Sequence, residues 1–401
     1  MRRRMLPMLM FAALPLGGAM PPAMPAMAAP QPERVVLSAD AEAQWVPFEL
    51  TPGNQIQFQM TVDGRPVTAI LDTGFSLSVV SRRFATRAGL KITGGGEGVG
   101  IGGTVAMGQI NGRTLAIGGL TRSGGRLGVL DLPGGATGNG TTIDAVIGSD
   151  LLRRYALDID FAGQRFRLLP SGRLPFSGQT APLAMALRDQ FYVSEMTIDG
   201  TRLRPIIVDT GDGATITMSD EAWKSIGGAK PLTTTTISYS IAGPVTSELT
   251  VLPAVRVGET MVREAEARIE PGRGFSAQMG AAGRIGLGYL QRYRVLLDPG
   301  AGRMVMAASG DVDRPPLRST SGLLVGFYSD RLRVLHVMRG SPAATAGWQA
   351  GDQICSVDGQ AITAKYASEP ISQWSIADPG RIVRLGMCSG GERKLTLERF
   401  Y

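Results

Sequence analysis

Two stretches of this chain repeat one rhythm of apolar and polar positions. Residues 60–74 read MTVDGRPVTAILDTG and residues 196–211 read MTIDGTRLRPIIVDTG. Each begins as a β-type run, turns at an Asp-Gly pair, and resumes as a second β-run. Asp-Gly between two such runs is a hairpin signal, because the tight turns that suit twisted strands require positive φ. The second run ends in both cases at the same triplet, Asp72-Thr73-Gly74 and Asp209-Thr210-Gly211. A lone Asp-Thr-Gly in a chain with 54 glycines would be ordinary turn chemistry.

The copies keep register. Met60 and Met196 are 136 positions apart, and Asp72 and Asp209 are 137 apart, so one residue is inserted between them. Further on, DAVIGSDLLRRYALDIDFAGQRFRL (144–168) aligns with GRIGLGYLQRYRVLLDPGAGRMVM (283–306). Gly148/Gly286, Tyr155/Tyr293 and Asp160/Asp298 are all 138 apart. A chance pair of turns does not stay in step this far along a chain. The pattern predicts a duplicated β-rich domain carrying one Asp-Thr-Gly per copy.

The ends of the chain differ from this repeat. Arg2–Arg4 precede an apolar stretch from Met5 to about Met20, broken by Pro7 and Pro15, and Ala26-Met27-Ala28 fits a small-x-small cleavage site. Residues 1–28 are therefore expected to be an export signal, too short to span a membrane well, with a linker at 29–45. Export places the protein in the periplasm or outside the cell, with no stable membrane insertion after cleavage. There the only cysteines, Cys355 and Cys388, are able to pair, although the sequence does not show that they meet. Near the other end, SGDVDRPPLRST (309–320) is polar and Pro-containing and reads as a linker to a region 321–401.

Composition narrows the chemistry. A chain of 401 residues that is 43% hydrophobic and 19% charged can bury sizeable cores. Its net charge of +7 owes three units to Arg2–Arg4, and no dense basic run with interleaved aromatics follows, so nucleic-acid binding is not expected. The single histidine, His336, sits in the alternation VLHVM and reads as a strand residue rather than a triad member. One His and two distant Cys do not supply a zinc site, so no metal or cofactor is expected. Two carboxylates also serve glycoside hydrolysis, but that chemistry does not predict a Thr-Gly after each.

The order of apolar strand, Asp-Thr-Gly, further strand, glycine-rich hairpin and apolar-apolar-Gly (Val146-Ile147-Gly148; Ile285-Gly286) resembles the retropepsin-like and pepsin-like aspartic peptidases. The resemblance covers roughly residues 46–308. It implies an all-β fold of two duplicated barrel lobes, 46–170 and 171–308, in one chain that does not need to oligomerise. It implies Asp72 and Asp209 as the catalytic pair, sharing one proton, with Thr73, Gly74, Thr210 and Gly211 supporting them. It places a flap tip at Gly100-Ile101-Gly102-Gly103 and its counterpart near Tyr239–Gly243, with polypeptides as substrates. Residues 321–401 resemble a PDZ domain of the kind appended to bacterial envelope proteases, through GSPAATAGWQAGDQICSVDG (340–359) and RIVRLGMCSGGERKLTLE (381–398). That resemblance implies Val325-Gly326-Phe327 as a loop capping peptide C-termini.

One departure stands out. These families usually place Ala, Ser or Thr after Asp-Thr-Gly; here Phe75 and Asp212 follow. Asp212 is expected either to be a solvated turn acid or, if buried, to raise the apparent pKa values of the pair. The sequence thus points to an exported aspartic endopeptidase whose PDZ domain selects or regulates substrates. The alternative is a non-catalytic peptide-binding protein that retains the peptidase fold.

Overall fold

The computed structural model describes residues 32–133, 142–185, 191–310 and 312–401. The expected export signal, 1–28, lies outside the described residues. The protein is mostly β. Both Asp-Gly turns form as their chemistry requires, with positive φ at Asp63 and Gly64 and at Asp199 and Gly200. They join Ile56–Val62 to Arg65–Leu71 and Tyr192–Ile198 to Thr201–Val208. Alternation does the rest: Ile56, Phe58, Met60 and Val62 all point into the core.

The strands of the first half pair in the order Ile56–Val62, Arg65–Leu71, Ala145–Ile147, Val79–Ser81, Arg126–Leu130, Gly103–Asn111, Thr93–Gly100. Those of the second pair in the order Tyr192–Ile198, Thr201–Val208, Gly283–Ile285, Ile216–Met218, Thr260–Ile269, Gly243–Val257, Thr234–Ser240. In each half the strand entering Asp-Thr-Gly runs parallel to the short strand before Gly148 or Gly286, with Leu71 beside Ile147 and Val208 beside Ile285. These two glycines press on the neighbouring loop: a Cβ at Gly148 would lie 2.5 Å from the Phe75 carbonyl oxygen, and one at Gly286 2.2 Å from that of Ala214. A serine caps the helix after Val79–Ser81 in the first half and after Ile216–Met218 in the second, Ser81 accepting from Phe84 N at the start of Arg82–Arg87 and Ser219 from Ala222 N at the start of Asp220–Ser225.

The halves join through Tyr155–Asp160 and Tyr293–Asp298, antiparallel, with Leu157 opposite Leu297 and Ile159 opposite Val295. Asp158, fully buried at this seam, accepts from Arg167 and Arg294, each at 2.9 Å. One continuous hydrophobic core runs through both halves, with Phe166 from the first and Met304 from the second among its members. The expected N-terminal linker is partly structured: Arg34–Leu37 is a strand laid antiparallel on Leu120–Ser123, with Val35 and Leu37 packed on the core.

Residues 323–396 build a separate six-stranded sheet around a core that includes Trp348, Trp374 and Leu385. Val325, Gly326 and Phe327 do not form the expected loop. They lie within the strand Leu323–Tyr328, opposite Val334, Arg333 and Leu332, because alternating side chains there pack into that core. The end of the expected 309–320 linker is tied into this unit through Thr320 Oγ1 donating to Ala377 O at 2.7 Å and Arg318 donating to Tyr401 O at 3.2 Å. The unit docks on the second half. Thr235 Oγ1 meets His336 Nε2 at 2.8 Å, Arg339 pairs with Glu248, and Leu249 packs with Leu324, Met338 and Tyr401. Among the described residues no helix is long and apolar enough to cross a membrane.

Cys355 and Cys388 are bonded, closing a 33-residue separation inside the C-terminal sheet. A loop of that size restricts the unfolded chain by about 3–4 kcal/mol in the chain-entropy description. Reduction, or the pair Cys355→Ala and Cys388→Ala, is expected to lower the unfolding midpoint of the C-terminal unit by that energy in a denaturant titration. An unchanged midpoint would contradict a stabilising role.

Candidate active site

The two Asp-Thr-Gly loops meet at the seam between the halves, and the threonines lock them. Thr73 Oγ1 donates to Val208 O at 2.7 Å and accepts from Thr210 N at 3.0 Å. Thr210 Oγ1 donates to Leu71 O at 2.8 Å and accepts from Thr73 N at 3.0 Å. Both side chains are fully buried, so four reciprocal bonds satisfy groups that would otherwise be costly to bury.

The lock aims the carboxylates at each other. Asp72 Oδ1 accepts from Gly74 N and Asp209 Oδ1 accepts from Gly211 N, both at 2.9 Å, and Asp212 N donates to Asp209 Oδ1 at 3.1 Å. The two carboxyls lie close enough for each to act on the other's protonation. Glycine in the triplets is demanded by space, since neither has positive φ. A Cβ on Gly74 would sit 2.3 Å from Asp209 Cγ, and one on Gly211 would sit 2.2 Å from Asp72 Cγ. Each glycine is the floor on which the other half's carboxylate rests.

Asp212 is not a solvated turn acid. It is buried, accepts from Ala214 N at 3.0 Å and Thr217 Oγ1 at 2.7 Å, and pairs with Arg284 Nε at 2.9 Å. Arg284 is itself buried; its Nε lies 3.4 Å from Asp209 Oδ2 and its Nη1 lies 2.5 Å from Glu270 Oε1. The acid after the triplet therefore belongs to a buried ion cluster against one member of the pair.

That cluster divides the carboxyls. Burial, then the charge of Asp209, hold the Asp72 carboxyl well above the ordinary range. Burial also raises Asp209, but Arg284 opposes it and the result is about 6, with Asp212 adding an upward push. For Asp212, burial is outweighed by Arg284 and then Arg268, and its carboxyl falls to about 2. Arg284 stays charged despite burial because Asp212, Glu270 and Asp209 surround it. Of the pair, Asp209 is thus the member held ionised and Asp72 the member that keeps the proton.

Two hairpins close over the site. The first, Thr93–Gly100 with Gly103–Asn111, turns at Ile101-Gly102; the second, Thr234–Ser240 with Gly243–Val257, turns at Ile241-Ala242. Their tips touch, with Ser240 Oγ donating to Ile101 O. Each tip reaches across: Ile101 packs with Phe191, Ile207 and Phe275 of the second half, and Ile241 with Ile70, Val79 and Val146 of the first. Glycine is needed here for contact, because a Cβ on Gly100 would meet Ile241 at 2.9 Å and one on Gly102 would meet Val245 at 2.7 Å. Gly103 takes φ 140° beside the turn. Beneath the tips a cavity of about 380 Å³ opens beside Gly211 and Asp212, walled in part by Ile101, Tyr239, Arg268 and Arg284.

The structure therefore brings Asp72, Asp209, their Thr-Gly partners, the Gly100–Gly103 tip and Tyr239 to one place, and leaves Val325–Phe327 in the C-terminal sheet. Sequence reasoning missed Arg284 and Glu270. The signal was present: Arg284 stands in the buried motif strand where the first copy has Val146, and an extra acid follows the same copy's triplet.

The family model described as "Aspartyl protease" matches residues 58–151, the span that holds Asp72-Thr73-Gly74, the first hairpin flap and Val146-Ile147-Gly148. No curated protein matches the chain. The match supports a retropepsin-like aspartyl protease and, in general terms, a hydrolase of peptide bonds.

Proposed function

We propose that this protein is an exported, single-chain aspartic endopeptidase built from two duplicated lobes, with a C-terminal PDZ-like unit that binds peptide ends. The observation that carries the reading is the pair Asp72 and Asp209, locked by Thr73 and Thr210 and seated on each other's glycine. The export pattern at residues 1–28 and the Cys355–Cys388 bond both suit an oxidising compartment outside the cytoplasm.

The geometry gives each carboxyl a task. Ionised Asp209 takes a proton from a water molecule, whose oxygen attacks the peptide carbonyl carbon. Protonated Asp72 donates to the carbonyl oxygen, so a neutral tetrahedral diol forms. Asp209 then delivers its proton to the amide nitrogen while Asp72 recovers one from the diol; the C–N bond breaks, and acid and amine leave. The flap tips exclude bulk water during these steps. Asp72→Asn and Asp209→Asn are each expected to lower kcat/KM by about 10³-fold without loss of fold. Peptide cleavage that survives both changes would reject the enzyme and favour a peptide-binding protein of the same fold.

The pH profile follows from the same assignment. The reactive form carries one proton on the pair. Below about 6 Asp209 is also protonated and the water has no base, so activity rises as pH increases through that value. It falls only where the raised Asp72 loses its proton. Asp212→Asn removes a charge that pushes Asp209 up and frees Arg284 to pull it down. The acidic limb is expected to move down by about one pH unit. Superimposable profiles of wild type and Asp212→Asn would reject the link.

For the C-terminal unit, the supporting feature is the strand Leu323–Tyr328, which pairs on one side only and ends in Phe327 and Tyr328, 41% and 49% exposed. An extended peptide adding to that edge would be held by main-chain bonds. Full-length Asp72→Asn protein is expected to bind peptides with a free C-terminus saturably in fluorescence anisotropy, and their C-terminal amides about tenfold more weakly. Equal binding of acid and amide would remove the end-capping role.

A further inference from the structure

The two halves offer unlike surroundings to whatever lies across the carboxylate pair. Strand register makes the comparison residue by residue. Val146 opposes Val79 in the first half as Arg284 opposes Thr217 in the second. Gly128 lies beside Val79 as Arg268 lies beside Thr217. Phe75 and Asp212 each follow their triplet directly. The first-half positions join an apolar cluster in which Ile70, Val79, Leu130 and Val146 pack with Phe75. The second-half positions wall the polar cavity under the flap tips.

Inside that cavity the carboxylates are engaged, while Gln55 Oε1 and a guanidinium nitrogen are left without partners. Asp212 already takes Ala214 N, Thr217 Oγ1 and Arg284 Nε. Glu270 takes Ser276 N and Arg284 Nη1. Arg284 is consumed by the same two acids. Arg268 is half-buried and its charge acts on Asp212 and Glu266, but it makes no hydrogen bond or ion pair among the described residues, and its Nε is buried without a partner. A guanidinium nitrogen left unpaired out of water is costly and is met best by a carboxylate, which the planar fork binds through two parallel bonds.

We propose, on the basis of the peptidase reading above, that the enzyme selects substrates with an acidic side chain at the scissile-bond residue that enters the second half, held by Arg268. An apolar side chain is selected at the residue that enters the first. The scissile carbonyl sits at the carboxylate pair, so the residues before and after it face one half each, the first half through the apolar cluster of Phe75 and Val146 and the second through the cavity beside Arg268. Arg268 is a specificity residue here and takes no part in bond breaking.

The test uses full-length protein at neutral pH and peptides identical except at the scissile pair, Leu-Glu, Glu-Leu, Leu-Leu, Leu-Lys and Lys-Leu, with reduced-amide analogues of each that bind without being cut. One of the two Glu orders is expected to be cleaved, and its analogue bound, about tenfold better than Leu-Leu and better still than either Lys peptide. Arg268→Leu should bring the Glu-to-Leu ratio to about one, and Arg268→Lys should restore most of it, with thermal melting confirming that both variants fold. Asp72-dependent cleavage with no Glu preference, or a preference untouched by Arg268→Leu, overturns the pocket assignment and leaves the peptidase reading intact. Selective binding of the Glu analogue with no Asp72-dependent cleavage does the reverse. Neither cleavage nor selective binding rejects both.

Discussion

Two carboxyl groups held side by side and out of water are the constraint around which this molecule is arranged. Left alone, neither would ionise readily, and each would push its neighbour further toward protonation. The surrounding structure converts that cost into a division of labour. The crossed threonines fix the loops so that the groups cannot drift apart, at a net gain of about 1 kcal/mol per bond. The glycines allow the approach. Arg284 then breaks the tie, because its charge lies near Asp209 and, among the described residues, no counterpart stands near Asp72. A buried cation in such a place would be expensive by itself; Asp212 and Glu270 make it tolerable by satisfying its hydrogen bonds.

Much of this was legible in the sequence because it is written locally. Asp63-Gly64 and Asp199-Gly200 announce their turns, and the register of the two triplets announces that they belong to equivalent surroundings. The Gly100–Gly103 tip is likewise a short-range signal. What was not legible depends on pairs far apart in the chain. Asp212 and Arg284 are 72 positions apart, and nothing in either segment alone tells whether the acid faces solvent or a cation. Burial would raise Asp212, but Arg284 and then Arg268 outweigh it and keep its pKa low, and its charge in turn pushes Asp209 up. The same limit hid the crossing of each flap tip to the opposite half. Val325-Gly326-Phe327 illustrates a different difficulty: a short apolar-Gly-apolar phrase suits a loop and a strand equally, and only the core beneath it decides. Arg34–Leu37 became a strand for a comparable reason, since the exposed side of Leu120–Ser123 was there to be paired.

The C-terminal unit is not simply tethered. Its contacts fall on Thr235, Glu248 and Leu249, at the root of the second flap hairpin rather than on the seam or the first half. The tip of that hairpin, at the far end of the strand Thr234–Ser240, rests on Ile101 and the first-half cluster. The hairpin is therefore held at both ends, by an appended unit at its base and by the opposite half at its tip. The first hairpin has only the second kind of restraint.

On the proposed peptidase reading, the unlike surroundings on either side of the carboxylate pair also set the orientation of a bound peptide. A peptide has a direction, and a site made of two identical halves accepts it either way round with equal free energy. On the proposed assignment, Arg268 in the second half, where the first half has Gly128, removes that degeneracy. One placement of the chain matches apolar to apolar and charge to charge; the reversed placement buries an apolar group against a guanidinium and a charge against valine. Carrying both halves in one chain permits the difference, because each half is then free to differ from the other.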